Sequence, residues 1–202
     1  MKLHWSPRSP FVRKVMIVAH ERGIADRLHC VRTVAEMTTP HAELMKDNPL
    51  SKIPTLVLDD GTVLYDSPVI CEYLDALDGD PKLFPQHGRA RIVALRRQAL
   101  GDGFLDLLVL ARNERMRAQA SQAHLASAAT RTAATLDHLE REAEALAASP
   151  FCIGRIAIGC ALSYADFRFP DLAWRARHGK LAEWHATFSQ RESAQLTVPM
   201  EG

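Results

Sequence analysis

The chain has 202 residues, of which 47% are hydrophobic and 24% are charged, a composition typical of a soluble globular protein and not of a disordered one. Its 25 basic and 24 acidic side chains give a formal net charge of +1, which argues against a general nucleic-acid binder or a polybasic membrane protein. No apolar run approaches the roughly 18 residues of a membrane helix and no apolar signal segment opens the chain, so we expect a cytoplasmic protein of one domain or two small ones.

The first third of the sequence alternates strand and helix signals. Lys2–Trp5 predicts a short strand, and a turn then leads to Ser9, a favourable helix N-cap with Pro10 at the first helical position. This helix is expected to end at Gly23. The next elements are predicted as a strand at 28–34, a weak helix at 40–48, strands at 55–58 and 62–65, and a helix from 67 to about 77. The order is βαβ followed by ββα.

The later sequence carries helix signals and no strand signal. Residues 79–86 contain one glycine and two prolines and are predicted to be a linker between a domain at 1–78 and a domain at 87–202. The helices predicted after it lie at 88–117, 121–147 and 180–190, with a polar tail at the end.

A central helix of this second domain has two possible starts. Ser163 and Asp166 have the spacing of a capping box, which would begin a helix at Ser163. Apolar residues at helical spacing from Ile153 to Phe167 run through that point without interruption. We therefore predict one helix over about 152–168.

The four cysteines predict no metal site and no disulfide. Cys30, Cys71, Cys152 and Cys160 form no Cys-x-x-Cys pair, and no Cys/His cluster has zinc spacing. They are expected to be reduced and mostly buried thiols. A thiol-disulfide oxidoreductase acting through its own cysteine would require a reactive Cys30 or Cys71.

Three short segments carry the chemistry. Ser9 stands at a helix N-terminus, where backbone N–H groups and the helix dipole favour an anion. Ser6 is a rival hydroxyl in the same turn. A cis bond before Pro54 would turn the N–H and C=O of the preceding residue outward. A third segment, beginning at Asp66, opens another helix. Each also has a plain structural interpretation, as a cap or as a trans proline at a strand start.

Together these segments resemble the glutathione S-transferase family, and small bacterial members with a Ser-Pro-Phe motif in particular. Residues 66–74, 99–106, 156–162 and 188–193 are similar as well, so that the resemblance covers essentially the whole chain. It implies an α/β thioredoxin-like N-terminal domain and an all-α C-terminal helical domain.

The resemblance also implies roles for single residues. Ser9 matches the catalytic serine that donates a hydrogen bond to the glutathione sulfur. Ile53, before Pro54, matches the residue whose backbone pairs with the cysteinyl part, and Lys52 matches a lysine that reaches the glycyl carboxylate. The γ-glutamyl end is expected to be held by Asp66 and Ser67. Four residues that could line an electrophile pocket are Trp5, Asp102, Gly103 and Asp106.

These residues predict a glutathione-dependent enzyme that activates a thiol for transfer, or for a related reduction or isomerisation, with glutathione as co-substrate and no metal. The alternative is a non-catalytic glutathione-binding or regulatory protein on the same fold. By resemblance we expect a homodimer whose partners are glutathione and a small electrophile, with no nucleic acid and no membrane.

Overall fold

A computed structural model of the protein describes residues 1–79 and 82–201. Residues 80–81, in the predicted linker, and residue 202, the last of the predicted second domain, lie outside the described residues. Strands occur only before residue 65 of the described chain, and every element from residue 88 onward is helical. This agrees with the predicted change between the two halves, while the boundaries 1–78 and 87–202 stay a prediction.

Within residues 1–79, the N-terminal half is a four-stranded sheet with three α-helices. Its elements are β1 (Lys2–Trp5), α1 (Pro10–Glu21), a 3₁₀ turn (Ala25–Arg27), β2 (His29–Arg32), α2 (Ala42–Asp47), β3 (Thr55–Val57), β4 (Val63–Leu64) and α3 (Ser67–Ala76). The strand order is β2-β1-β3-β4, with β2 parallel to β1 and with β3 and β4 antiparallel to their neighbours. The order βαβ then ββα is confirmed, and the half is thioredoxin-like.

Successive side chains of β1 point to opposite faces of the sheet, as they do in any strand. Leu3 is fully buried in the core between the sheet and the helices α1 and α3. His4 points to the other face, where its Nε2 lies 2.8 Å from a carboxylate oxygen of Asp47 at the end of α2. The same oxygen accepts a 2.6 Å hydrogen bond from Lys2. α2 is therefore tied to the sheet by polar contacts.

The second and fourth strands are shorter than the sequence predicts. β2 pairs residue for residue with the four residues of β1, from Lys2 opposite His29 to Trp5 opposite Arg32. β4 pairs only two residues with β3. The length of each strand is therefore limited by the strand it pairs with, and the local sequence does not reveal that limit.

Within residues 82–201, the C-terminal half packs five α-helices. They are α4 (Gly88–Arg115), α5 (Gln122–Ala148), α6 (Ile153–Arg168), α7 (Gly179–Ser189) and α8 (Glu192–Gln195), with 3₁₀ turns at Pro170–Leu172 and Trp174–Ala176. The predicted polar tail is corrected by α8, which buries Ser193 and Ala194. Ser193 donates a 2.5 Å hydrogen bond to Glu21 of α1, and this remote contact orders a segment whose own sequence is polar.

The central helix α6 begins at Ile153, as its apolar periodicity predicts. The Ser163 hydroxyl donates to the carbonyl of Gly159 within the helix at 2.8 Å and caps nothing. Asp166 accepts a 2.8 Å hydrogen bond from the indole of Trp174. Because eleven of its residues are buried, core packing outweighs the capping-box pattern.

The predicted linker is held in place by a buried carboxylate. Asp75 accepts hydrogen bonds of 2.8–3.1 Å from the N–H groups of Lys82, Leu83 and Phe84. The side chains of Leu83 and Phe84 are buried, and the N–H of Ile153 donates to the carbonyl of Leu83 at 2.9 Å. The described part of the linker is therefore fixed to both halves of the chain.

Candidate functional site

Ser9 is the N-cap of α1. Its Oγ accepts a 3.3 Å hydrogen bond from the N–H of Val12, and Pro10 follows as the first helical residue. Ser9 is half-buried, so its oxygen lies at an accessible helix N-terminus that carries a partial positive charge. Since Oγ uses a lone pair toward Val12, the hydroxyl proton is left to donate to an anion.

The rival serine is placed differently. Ser6 is 5% exposed and lies in the loop after β1, where its Oγ accepts a long 3.4 Å hydrogen bond from the N–H of Arg8. Its carbonyl accepts from the N–H of Ser9 at 3.2 Å. Ser6 thus shapes the turn, while Ser9 occupies the helix end.

The sheet register brings Ile53 to this loop. His4 of β1 is paired with Thr55 of β3, so that the next positions outward are Trp5 with Pro54 and Ser6 with Ile53. The Ile53–Pro54 bond is cis. The N–H and C=O of Ile53 make no hydrogen bond within the described residues, so both groups are free for an extended ligand.

Asp66 and Ser67 arrive at the same edge through β4. Leu64 is paired with Leu56, and continuing this antiparallel register places Asp66 beside Pro54. Asp66 is the exposed N-cap of α3, and its carboxylate makes no capping hydrogen bond. Ser67 is 2% exposed at the first position of that helix. The structure therefore brings all three predicted segments together at one edge of the sheet.

Lys52 stands on a turn that sequence reasoning left unexplained. Its side chain is exposed, and its carbonyl accepts hydrogen bonds from the amide of Asn48 at 3.2 Å and the hydroxyl of Thr55 at 2.8 Å. Asn48 is 1% exposed, and its Oδ1 accepts from the N–H of Leu50 at 3.0 Å. Asn48 therefore positions the Lys52 turn, a role that the sequence analysis did not assign to it. The sequence pattern that could have indicated this role is an asparagine directly before a proline, which commonly begins a turn.

A second missed residue is Lys14. Its side chain is fully buried in α1, and its Nζ lies 2.6 Å and 2.7 Å from the two carboxylate oxygens of Asp102 on α4. Burial raises the pKa of the Asp102 carboxyl, Lys14 opposes this, and the negative charges of Asp66 and Asp106 add to it. A lysine among apolar residues on one face of the predicted helix could have indicated a buried ion pair.

The four predicted electrophile-pocket residues differ in exposure and surroundings, and their role in a pocket stays a prediction. Partial desolvation raises the pKa of the exposed Asp106 carboxyl, the charge of Lys52 opposes this rise and the charge of Asp66 adds to it. Gly103 is exposed, with open space where a Cβ would stand. Trp5 is half-buried against the core, with the Arg32 guanidinium 5.9 Å from its ring centroid.

Three of the four cysteines are poor thiolates in this fold. All four are free, and only Cys30 is exposed. Burial raises the pKa of Cys71 to about 12 and that of Cys160 to about 11. Partial desolvation also raises the pKa of Cys30, although its side chain is exposed. These shifts oppose the reading in which the protein uses its own cysteine as nucleophile.

Within residues 1–79 and 82–201, no three His, Cys, Asp or Glu side chains are grouped as metal ligands. No helix in those ranges has both the length and the apolarity needed to cross a membrane.

Comparison with known proteins gives concordant similarities. Residues 8–77 match the family described as Glutathione S-transferase, N-terminal domain. The uncharacterized GST-like protein YibF of Escherichia coli K12 is 30% identical, with 98% of each chain covered. A solved structure of a glutathione transferase family member from Pseudomonas fluorescens Pf-5, with bound glutathione, is 42% identical over 99% of each chain with a TM-score of 0.93.

A different kind of relative matches less of the chain. A stringent starvation protein A homolog from Coxiella burnetii is 36% identical over 91 residues, which cover 45% of this chain and 41% of that protein.

Proposed function

The chain belongs to the glutathione S-transferase family, and from this premise we propose that it binds glutathione and activates the thiol for attack on an electrophile or for thiol-dependent reduction. The observation that carries the proposal is the meeting of Ser9, the unpaired backbone of Ile53 and the Asp66–Ser67 helix start at one sheet edge. We also propose kinship with small bacterial members that carry the Ser9-Pro-Phe motif.

Each part of glutathione has a chemical counterpart in this proposal. The γ-glutamyl ammonium pairs with Asp66, and the γ-glutamyl carboxylate accepts from Ser67 and the N-terminus of α3. The cysteinyl backbone pairs with the N–H and C=O of Ile53 as an added strand. The glycyl carboxylate is reached by Lys52.

Thiol activation falls to Ser9. A free thiol has a pKa near ~8.5, so little is thiolate at neutral pH. The free hydroxyl proton of Ser9 donates to the sulfur, and the dipole of α1 favours the anion. Lowering the thiol pKa by about two units requires about 2.7 kcal/mol, which is within reach of these two effects combined.

The test is calorimetric titration of glutathione together with turnover of chlorodinitrobenzene. We expect Ser9→Ala to keep glutathione affinity within about threefold, to raise the pKa of the bound thiol by about one to two units and to lower kcat/KM by roughly tenfold to a hundredfold at neutral pH. Ser67→Ala should weaken binding itself. No binding by the wild type at millimolar glutathione would overturn the proposal.

Ser6→Ala is the matched control, because it removes the other hydroxyl of the same loop. It should leave the pKa of the bound thiol unchanged. If Ser6→Ala raises the pKa of the bound thiol and Ser9→Ala leaves it unchanged, Ser6 is the activating residue and the assignment of Ser9 is wrong.

A second candidate is a regulatory glutathione-binding protein without turnover, which the stringent starvation protein A relative favours. Normal glutathione binding, combined with no turnover of electrophiles, disulfides or peroxides, would support it over the enzyme.

We propose that the protein is a cytoplasmic homodimer. Tyr65, Val69 and Ile92 are exposed apolar side chains, respectively before α3, on α3 and on α4, and burying them against a second copy would remove them from water. Sedimentation that shows a monomer at micromolar concentration would contradict this.

A further inference from the structure

A partly open cavity of about 90 Å³ lies between α4, α5 and the 3₁₀ turn that follows α6. Most of its lining is apolar and includes Leu108 of α4, Ala128 of α5, and Phe169 and Leu172 beyond α6. A closed apolar cavity of roughly 150 Å³ takes a benzene ring. This smaller, open cavity is therefore suited to a molecule with a single ring, part of which lies in the opening.

The cavity is separate from the proposed glutathione site. Ala111 lines the cavity, and it follows Asp102 by about two and a half turns of α4, so the two side chains leave the helix on opposite faces. Asp102 faces Lys14 of α1. The other wall of the cavity belongs to α5, which packs against α4 and α7. A ligand bound here therefore leaves the sheet edge at Ser9 free.

Thr132 of α5 offers the cavity a hydroxyl group. Its side chain lines the cavity and is only 6% exposed. Thr130 and Thr135 of the same helix donate to the carbonyls four residues earlier, at 3.1 Å and 2.8 Å. The Thr132 hydroxyl makes no such hydrogen bond, nor any other, within residues 1–79 and 82–201. An enclosed hydroxyl without a partner is suited to a polar atom of a ligand.

Arg115 of α4 is the charged residue of the lining. Its guanidinium carbon lies 4.5 Å from the ring centroid of Phe169, which forms part of the same wall. Its two hydrogen bonds to Asp171 are 3.4 Å and 3.2 Å long, whereas a strong charge-assisted bond measures about 2.7–2.9 Å. Both side chains are exposed, so water screens this ion pair. The stacked guanidinium is therefore available to the carboxylate of a ligand.

The two polar groups stand at opposite ends of the cavity. The short segment 116–121 joins α4 to α5, so the packed helices run antiparallel and Arg115 lies near the same end as Leu125. Thr132 lies about 10 Å further along α5 than Leu125. A benzene ring with polar groups at two para positions, each making a hydrogen bond, matches this arrangement.

We propose that the cavity binds a monocyclic aromatic acid that carries a hydroxyl group para to its carboxylate. The ring occupies the apolar part, and the ring hydroxyl forms a hydrogen bond with Thr132. The carboxylate accepts hydrogen bonds from Arg115, which releases Asp171 to water. The inference does not depend on the proposed function, because it concerns a second ligand on the opposite side of α4.

Calorimetric titration of the full chain tests the inference, with 4-hydroxybenzoate as the probe. Benzoate lacks the ring hydroxyl, and 4-hydroxybenzamide lacks the charge. We expect 4-hydroxybenzoate to bind with a Kd of about 1 mM or lower. It should bind about fivefold more tightly than benzoate and about tenfold more tightly than the amide. Saturation with glutathione should leave these affinities unchanged.

Thr132→Val removes the hydroxyl and keeps the shape of the side chain. It should weaken 4-hydroxybenzoate to the affinity of benzoate and leave benzoate itself unchanged. Arg115→Gln should weaken both acids about tenfold and leave the amide unchanged. Thr130→Val is the matched control at an exposed position of the same helix, and it should retain the wild-type affinity for all three compounds.

Three results would overturn the inference: no saturable binding of 4-hydroxybenzoate at millimolar concentration, displacement of 4-hydroxybenzoate by glutathione, or equal effects of Thr132→Val and Thr130→Val. Failure to bind glutathione, with normal binding of 4-hydroxybenzoate, would overturn the proposed function alone.

Discussion

His185 of α7 is a buried histidine whose protonation state is fixed by its neighbours. Its Nδ1 lies 2.7 Å from a guanidinium nitrogen of Arg175, which can only donate, so the ring proton sits on Nε2 and is donated to the Ser163 hydroxyl at 2.9 Å. The Ser163 proton in turn goes to the carbonyl of Gly159. This chain of hydrogen bonds requires a neutral ring and leaves Ser163 without a proton to give to a substrate.

The neutral ring predicts an acid-sensitive contribution to stability. Burial, followed by the charge of Arg175, lowers the pKa of His185 to about 4. Between that value and the ordinary pKa near ~6.5, the unfolded chain binds the proton and the folded chain does not, so the free energy of unfolding falls as the pH falls, by about 1.4 kcal/mol per pH unit.

His185→Gln should remove this dependence, because a glutamine amide can donate to Ser163 and accept from Arg175. In denaturant unfolding, the wild type should lose about 2 kcal/mol more than the variant between about pH 7 and about pH 5. The carboxylates are common to both proteins and cancel in the comparison. Equal losses in the two proteins would mean that the buried ring already accepts a proton near pH 5.

Local signals in the sequence identified some of these residues and not others. Ser9 and the Asp66–Ser67 pair were recognisable because capping depends on the three or four residues that follow. The contact between Lys14 and Asp102 joins positions 88 residues apart, and the contact between His185 and Ser163 joins positions 22 apart. Such pairs form only when the helices pack together, and local patterns in the sequence do not reveal which helices pack.

At the scale of elements, the contact between α4 and α6 depends on small residues. A Cβ added to Gly101 of α4 would lie 2.6 Å from the backbone carbon of Ala157 on α6. A Cβ added to Gly154 would lie 2.7 Å from the carbonyl oxygen of Ala94. The backbones of the two helices are therefore in close contact at two positions along their length.

Gly101→Ala should destabilise the protein by about 1–3 kcal/mol, because the methyl group forces the helices apart. Gly103→Ala is the matched control two residues along the same helix, since nothing lies within 4 Å of its added Cβ. That variant should be neutral or stabilising by up to about 1 kcal/mol through helix propensity. Chemical unfolding of both variants measures the difference, and destabilisation of equal size would show that the close approach to Ala157 is not the cause of the loss at Gly101.

The same contact explains how far the helices could be predicted. Periodicity found α6 as one helix because its buried face repeats over sixteen residues. Its neighbour α4 has a core face that includes Gly101, Arg97 and Gln98, which carry no apolar signal. Both helices were therefore predictable from the sequence, whereas the contact between them was not, and the shape of the electrophile pocket was unpredictable for the same reason.

At the scale of the molecule, α1 connects the two halves through polar side chains. Lys14 binds Asp102 of α4, and Glu21 accepts two hydrogen bonds, 2.9 Å and 2.7 Å, from Arg191 next to α8. Arg13 donates to the carbonyl of Ala194 at 3.2 Å. The helix whose N-terminus carries Ser9 is thus also the main polar link to the helical half, and the two halves are expected to unfold together.

The Lys14–Asp102 pair gives the strongest prediction at this scale. Lys14→Met would leave the Asp102 carboxylate, 16% exposed, without its cation and close to Asp66 and Asp106, at a cost of about 3–5 kcal/mol in the free energy of unfolding. Asp102→Leu would leave a fully buried ammonium unpaired, with a cost of similar size.

The double variant Lys14→Met/Asp102→Leu should recover most of this loss, because two apolar side chains of similar volume need no charge partner. Denaturant unfolding of the four proteins measures the coupling directly. A double variant whose loss equals the sum of the single losses would show that the two charges act independently. Recovery in the double variant, together with retained glutathione binding, would assign the pair to holding the halves together and not to the ligand.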